Sequence, residues 1–203
     1  MNRIYCLMGK SAAGKDTIYH AIRERAALEK RSDLREVVPY TTRPMRSGEE
    51  NGVTYFFETN EQFYQAKTEG KIIESRDYNT VYGVWHYYTK DDGQICLADS
   101  SYLLIGTLES YESFAAYYGR EKVVPLYIEL EDGERLERAL RRERKEKTPK
   151  YAELCRRFLA DEQDFSEDRL QAAGITQRYN NENREQCVDE VWKTICRGSD
   201  LKQ

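Results

Sequence analysis

Gly9-Lys10-Ser11-Ala12-Ala13-Gly14-Lys15-Asp16-Thr17 follows the apolar run Arg3 to Met8 and precedes a stretch in which Ile18, Ile22 and Ala26 recur four apart among charges. Strand, glycine-bracketed turn, then helix is the context in which such a turn cradles phosphate. Small residues let successive N–H groups curl around phosphate oxygens, and the dipole of the following helix adds favourable charge. Lys15 would reach the outer phosphates and offset charge during transfer. The nucleotide-binding set is therefore Gly9, Lys10, Ser11, Ala12, Ala13, Gly14, Lys15, Asp16 and Thr17. The position after the lysine usually carries a magnesium-binding hydroxyl; here it is Asp16, a hard oxygen ligand in its own right, with Thr17 next. Asp16, or Thr17, is the expected metal contact.

Outward from the loop, further strands are expected at Glu36 to Tyr40, Val53 to Phe57, Lys71 to Ser75 and Tyr82 to Tyr88, with a short helix near Glu61 to Lys67. The apolar runs Tyr102 to Gly106 and Val123 to Leu130 suit parallel strands covered on both faces. Asp132 to Lys147 and Tyr151 to Asp168 read as helices around a charged hinge containing Pro149, followed by a strand at Ile175 to Asn180 and a helix at Cys187 to Ile195. This alternation predicts an α/β three-layer sandwich of the P-loop type with a mainly parallel sheet. One domain spans 1–203: a core (about 1–35, 100–130 and 170–200), a small β-rich acceptor-binding lobe (about 36–90) and a helical lid (about 138–157).

The chain of 203 residues is 39% hydrophobic and 33% charged, with a formal charge of −4, so a globular protein is expected rather than a membrane one. Its longest apolar runs are too short to span a bilayer, and the negative balance argues against general nucleic-acid binding. The N-terminus reads as a strand rather than a signal peptide. Five scattered cysteines show neither metal-ligand spacing nor a disulfide framework, which fits reduced thiols in a cytoplasm. His20 and His86 have no partner at ligand spacing. Tyr111, Phe114, Tyr117 and Tyr118 recur at helical spacing and are expected to pack.

A second segment, Tyr40-Thr41-Thr42-Arg43-Pro44-Met45-Arg46-Ser47-Gly48-Glu49-Glu50-Asn51-Gly52-Val53-Thr54-Tyr55-Phe56, gathers guanidinium, carboxylate and phenol groups suited to gripping a phosphate dianion. It resembles the T-T-R-x-x-R-x-G-E-x-N-G-x-x-Y segment of the guanylate kinase family, at the matching distance after the loop. The resemblance extends over nearly the whole chain and weakens between Trp85 and Ser101. It implies that Arg43 and Arg46 hold the acceptor phosphate, that Glu49 keeps an arginine in register, and that Tyr55 and Tyr82 donate phenols. It implies further that Glu74 accepts hydrogen bonds from guanine. Three departures fall on the base-reading side: Pro39 and Val84 replace hydroxyl residues, and Thr107 stands where an aspartate is usual.

The resemblance also implies lid arginines that arrive with the substrates. Arg157 matches one such position, Arg142 or Arg144 the other, and Asn181 the adenine-side asparagine. Lys15, Arg46, Arg142, Arg144 and Arg157 are then the catalytic set, with ATP as donor, Mg2+ as cofactor and GMP as acceptor. Nucleotides are the expected partners of a monomer or homodimer, with no nucleic acid or membrane. Two other readings remain open: a kinase of another phosphorylated metabolite such as a ribose bisphosphate, and a non-catalytic module of the same build.

Overall fold

The computed structural model describes residues 1–80 and 83–199. Its main sheet has the order β2 (Leu34–Glu36), β7 (Ser101–Ile105), β1 (Ile4–Met8), β8 (Val123–Glu129) and β9 (Arg178–Asn180), all neighbours being parallel. β1 is central and all its side chains are buried, as its uninterrupted apolar run requires. Alternation then sorts them: Ile4, Cys6 and Met8 face Tyr102, Leu104, Phe114 and Leu170, whereas Tyr5 and Leu7 face Ile18, Ile22, Val191 and Trp192. One layer is therefore α1 (Lys15–Leu28) with α7 (Arg184–Ser199). The other contains α3 (Leu108–Tyr118) and α6 (Glu167–Ala172). The expected sandwich is present.

The lobe is a second sheet, ordered β4 (Phe56–Phe57), β3 (Tyr40–Thr41), β6 (Gly83–Lys90) and β5 (Ile72–Thr80). Its helix α2 (Asn60–Thr68) begins with a reciprocal capping box between Thr59 and Gln62 and buries Phe63. Tyr40, Phe63 and Tyr88 form a small core, with Phe56 and Ile72 against it. Beyond the main sheet, α4 (Asp132–Glu143) and α5 (Tyr151–Asp164) form the lid-like pair, joined by turns and bends over 144–150.

Several boundaries differ from expectation for identifiable reasons. Glu36 to Tyr40 is not one strand: β2 pairs with β7 and β3 with β6, so the chain changes sheets across Val37–Pro39. Pro39 lacks the N–H a continuous ladder needs. Val53 and Thr54 turn back on the Glu50 carbonyl (3.2 and 3.0 Å), leaving only Phe56–Phe57 as strand. The expected Tyr151–Asp168 helix breaks after Asp164 because Phe165 enters the core and Ser166 opens α6. Ile175 closes the end of α6 through its N–H to the Leu170 carbonyl (2.9 Å), so β9 starts only at Arg178. The Asp132 helix ends at Glu143 rather than Lys147.

Candidate active site

The chain leaves β1 towards β2 on one side and later adds β8 and β9 on the other, so the loop after β1 lies where sheet order reverses. Gly9 passes so close to β8 that a Cβ would stand 2.5 Å from the Ile128 carbonyl oxygen. Gly14, at φ 91°, precedes α1, and a Cβ there would meet Asn181 Nδ2 at 2.3 Å. Between them Ala12 adopts φ 61°, a left-handed conformation at the bend of the loop, closed by the Ala13 N–H donating to the Lys10 carbonyl at 3.2 Å. Lys15 opens α1 half-buried, with Asp16 and Thr17 exposed on the same turn. Asn181 braces the loop from β9: its Nδ2 donates to the Ala13 carbonyl at 2.7 Å, while its buried Oδ1 has no partner.

The lid pair grips the loop's outer edge. Lys10 Nζ donates to both oxygens of Glu162 at 2.7 and 2.8 Å, and the Ser11 N–H donates to Asp161 at 2.7 Å. Arg135, 1% exposed, donates to the Ser11 carbonyl (3.2 Å), Glu162 (3.1 Å) and Asp161 (3.3 Å), bonds Asp132, and lies over the Phe158 ring. Arg138 donates to the Asn181 carbonyl at 3.3 Å. Arg142 and Arg144 lie farther along and exposed, whereas Arg157 is half-buried with an unpartnered Nε. The sequence reading thus missed Arg135, Asp161 and Glu162, and it preferred Arg142 or Arg144 to Arg138 on the same helix. Their one available signal was helical spacing: 135, 138 and 142 share a face of α4.

Across the cleft, Arg43 is buried and forked onto Glu49, Nη1 to Oε2 at 2.7 Å and Nη2 to Oε1 at 2.5 Å. The Arg43 guanidinium and then the Arg46 N–H hold the Glu49 carboxyl down to about 2. Arg43 also lies over the Tyr55 and Phe57 rings, 5.2 and 5.4 Å from their centroids. The Arg46 side chain is exposed. Burial pushes the Tyr55 phenol up, against the opposing pull of Arg43 and Arg76. The Thr41-Thr42-Arg43 turn is fixed to β6: Thr41 Oγ1 donates to the His86 carbonyl and Thr42 Oγ1 accepts the His86 N–H. The His86 ring itself packs on Phe63, centroids 4.0 Å apart.

Glu74 is buried, its carboxylate accepting from Thr89 Oγ1 (3.0 Å) and Ser110 Oγ (3.2 Å), with Arg76 Nε 3.4 Å away. Thr89 on β6 and Ser110 on α3 come from other elements than Glu74, so no local motif announces them. Thr107 caps α3, its Oγ1 accepting the Ser110 N–H, and reaches Glu74 only through Ser110. Tyr82 lies outside the described residues. Asp16, Tyr19 and His20 of α1, Tyr55 of the lobe, and Glu74 and Arg76 of β5 share one cavity of about 440 Å³. Pro39 lines it as well, whereas Val84 is exposed at the start of β6.

Among the described residues no group of three His, Cys, Asp or Glu side chains could hold a metal. A single exposed carboxylate, Asp16 beside the loop, fits an ion held mainly by nucleotide phosphates and water.

A glycine loop at the switch point of a parallel sheet, opening a helix that shares a cavity with the β-rich lobe, defines a fold of the P-loop class. The family model described as "Guanylate kinase" matches residues 1–105. Guanylate kinases of Oceanobacillus iheyensis and Corynebacterium diphtheriae are 34% and 39% identical over 43% and 38% of this chain. The chain spans about two fifths of the length of these curated relatives (41% and 38%). The fold is also that of the guanylate kinase crystal structure from Anaplasma phagocytophilum, with a TM-score of 0.64 at 22% identity, covering 100% of this chain and 88% of that one. The chain belongs to the guanylate kinase family. Arg142, Arg144, Arg157 and Asn181 lie beyond the stretch matched by the family model.

Proposed function

We propose that the chain transfers the γ-phosphoryl group of ATP to the phosphate of a nucleoside monophosphate, with GMP the acceptor and GDP and ADP the products. The observation that carries this reading is the shared cavity, in which the first turns of α1 meet Tyr55 and Glu74 of the lobe. Two polyanions repel, so the barrier falls when they are held in line and their charge is offset in a site of low dielectric. The loop N–H groups and Lys15 hold the donor phosphates. Arg43, kept in place by Glu49, and Arg46 hold the acceptor phosphate beside the Tyr55 phenol. Glu74 offers carboxylate oxygens to the guanine donor edge.

Asp16, or Thr17, would hold a magnesium ion, which would supply charge neutralisation during transfer. The unpartnered Asn181 Oδ1 is an acceptor suited to the adenine amino group. The attacking oxygen is already anionic, so no general base is assigned. Arg157, with its unpartnered Nε, Arg142 and Arg144 are the lid cations that would close on the transferring group.

The test is an ADP-release assay with GMP, dGMP, AMP, CMP and UMP. Turnover should be fastest with GMP, and Lys15→Ala should lower kcat by roughly a thousandfold, as expected for loss of an electrostatic transition-state contact. Inactivity of the wild-type protein towards every acceptor would overturn the reading.

A further inference from the structure

Arg43 has few donors left for a ligand. A guanidinium carries five N–H groups. Arg43 Nη1 donates to the Pro44 carbonyl and to Glu49, and Nη2 donates to Glu49, leaving at most Nε–H and one Nη2–H. Its side chain is 3% exposed. Arg46 reaches solvent rather than the cavity wall, and is not among the residues bounding the cavity. The predicted clamp on an acceptor phosphate is therefore short of cations at the cavity, which neither Arg43 nor Arg46 bounds.

Arg76 stands at that place. It bounds the 440 Å³ cavity together with Tyr55, Glu74 and Thr89. It also bounds a second cavity of about 670 Å³, with Tyr55, Tyr78 and Tyr87 of the lobe and Glu153 and Arg156 of α5. Arg76 is thus part of the wall common to the base end of the cleft and its lid end. Glu74 and Arg76 are two apart on β5 and share a face. Yet Glu74 is satisfied by Thr89 and Ser110, and Arg76 Nε, though 3.4 Å from Glu74, is buried without a hydrogen-bond partner. A buried guanidinium N–H without an acceptor is unfavourable, so the arrangement suits a ligand that brings one.

We propose that Arg76 is a binding residue for the acceptor phosphate, completing with Tyr55 the site in which Arg43 is committed to Glu49. Its guanidinium donates to a phosphate oxygen of the acceptor, and its contact with Glu74 holds the side chain in the cleft between ligands. This rests on the kinase reading above for the identity of the acceptor.

The experiment compares wild type with Arg76→Ala, Arg76→Met, which keeps an apolar stem, and Arg76→Lys, which restores charge. GMP affinity is measured by calorimetry without ATP, and KM for GMP and for ATP in the ADP-release assay. Loss of a charge-assisted phosphate contact should weaken GMP binding by roughly 10- to 100-fold in Arg76→Ala and Arg76→Met. KM for ATP should stay within about twofold, because an acceptor-side contact leaves uniform donor binding intact. Arg76→Lys should recover part of the loss. Unchanged or tighter GMP binding in both uncharged variants would overturn the proposal, as would an equal rise in both KM values without recovery by lysine, which marks a merely structural role. Wild-type protein that binds GMP in an Arg76-dependent way but never turns it over would sink the kinase reading and leave Arg76 in place. Wild-type protein that neither binds nor converts GMP would overturn both.

Discussion

Every side chain of β1 is buried, whereas in β5 only Ile73 and Glu74 are, out of nine residues. The two strands define two kinds of scaffold. β1 delivers its loop from a sheet covered on both faces, so the phosphate nest is built from backbone geometry and held by close approach to Ile128 and Asn181. The lobe delivers Arg43, Tyr55 and Glu74 from a thin sheet whose core is three rings, Tyr40, Phe63 and Tyr88, and relies on buried polar pairing for precision. On the proposed reading, donor binding rests on the main chain and acceptor binding on side chains and their partners.

The sharpest way to break this contrast is through the ring core. Phe63 is 1% exposed and packs on His86 and Tyr88. Phe63→Ala should destabilise the lobe by about 3–4 kcal/mol, a typical cost of truncating a buried ring. Urea titration followed by GMP binding should show the acceptor site failing first while ATP binding persists. Simultaneous loss of both would mean that lobe and sheet unfold as one unit.

Polar pairing comes next. Glu49 is held at about 2, so its pairing with Arg43 is complete above its ordinary range near 4.5 and is lost only as pH falls through about 2. Glu49→Gln should raise KM for GMP roughly tenfold, the scale of one charge-assisted contact, at every pH from 5 to 8. A wild-type profile in which acceptor binding weakens between pH 7 and 5 through Glu49 would contradict that pairing.

The smallest effect belongs to the loop. Ala12 holds a left-handed conformation that glycine adopts without steric cost. Ala12→Gly should therefore change stability by no more than about 1 kcal/mol, in the stabilising direction, because relief of strain outweighs the greater freedom of the unfolded glycine. Differential scanning calorimetry reads it, and a lowered Tm would show that Ala12 is unstrained.

The same contrast explains what the sequence could and could not disclose. The phosphate loop is contiguous, and its residue types state the backbone shape directly, so Gly9 to Thr17 could be read in order. The resemblance implies that Glu49 holds an arginine in register, and the fork from Nη1 and Nη2 names that arginine Arg43. Glu74 could be singled out only through family resemblance, and its true neighbours, Thr89 on β6 and Ser110 on α3, are joined to it by strand register and helix docking. Arginines on α4 repeat so regularly that the pattern cannot say which turn meets the loop. Packing against Phe158 and the α5 carboxylates selects Arg135 over Arg142 or Arg144. The shortened strands failed for another reason: propensity extends a strand until a partner runs out, and partners are a tertiary fact.

The hydrogen bond from Asn181 to the Ala13 carbonyl spans 168 positions of chain. The loop between Gly9 and Gly14 acquires its side-chain brace only when β9 aligns beside β8, so the brace joins segments far apart in the chain. Closing so long a loop costs entropy, though the cost grows only slowly with length. The shape of the phosphate loop is thereby coupled to completion of the sheet, and a chain in which β9 is unpaired would hold the signature motif without its finished form.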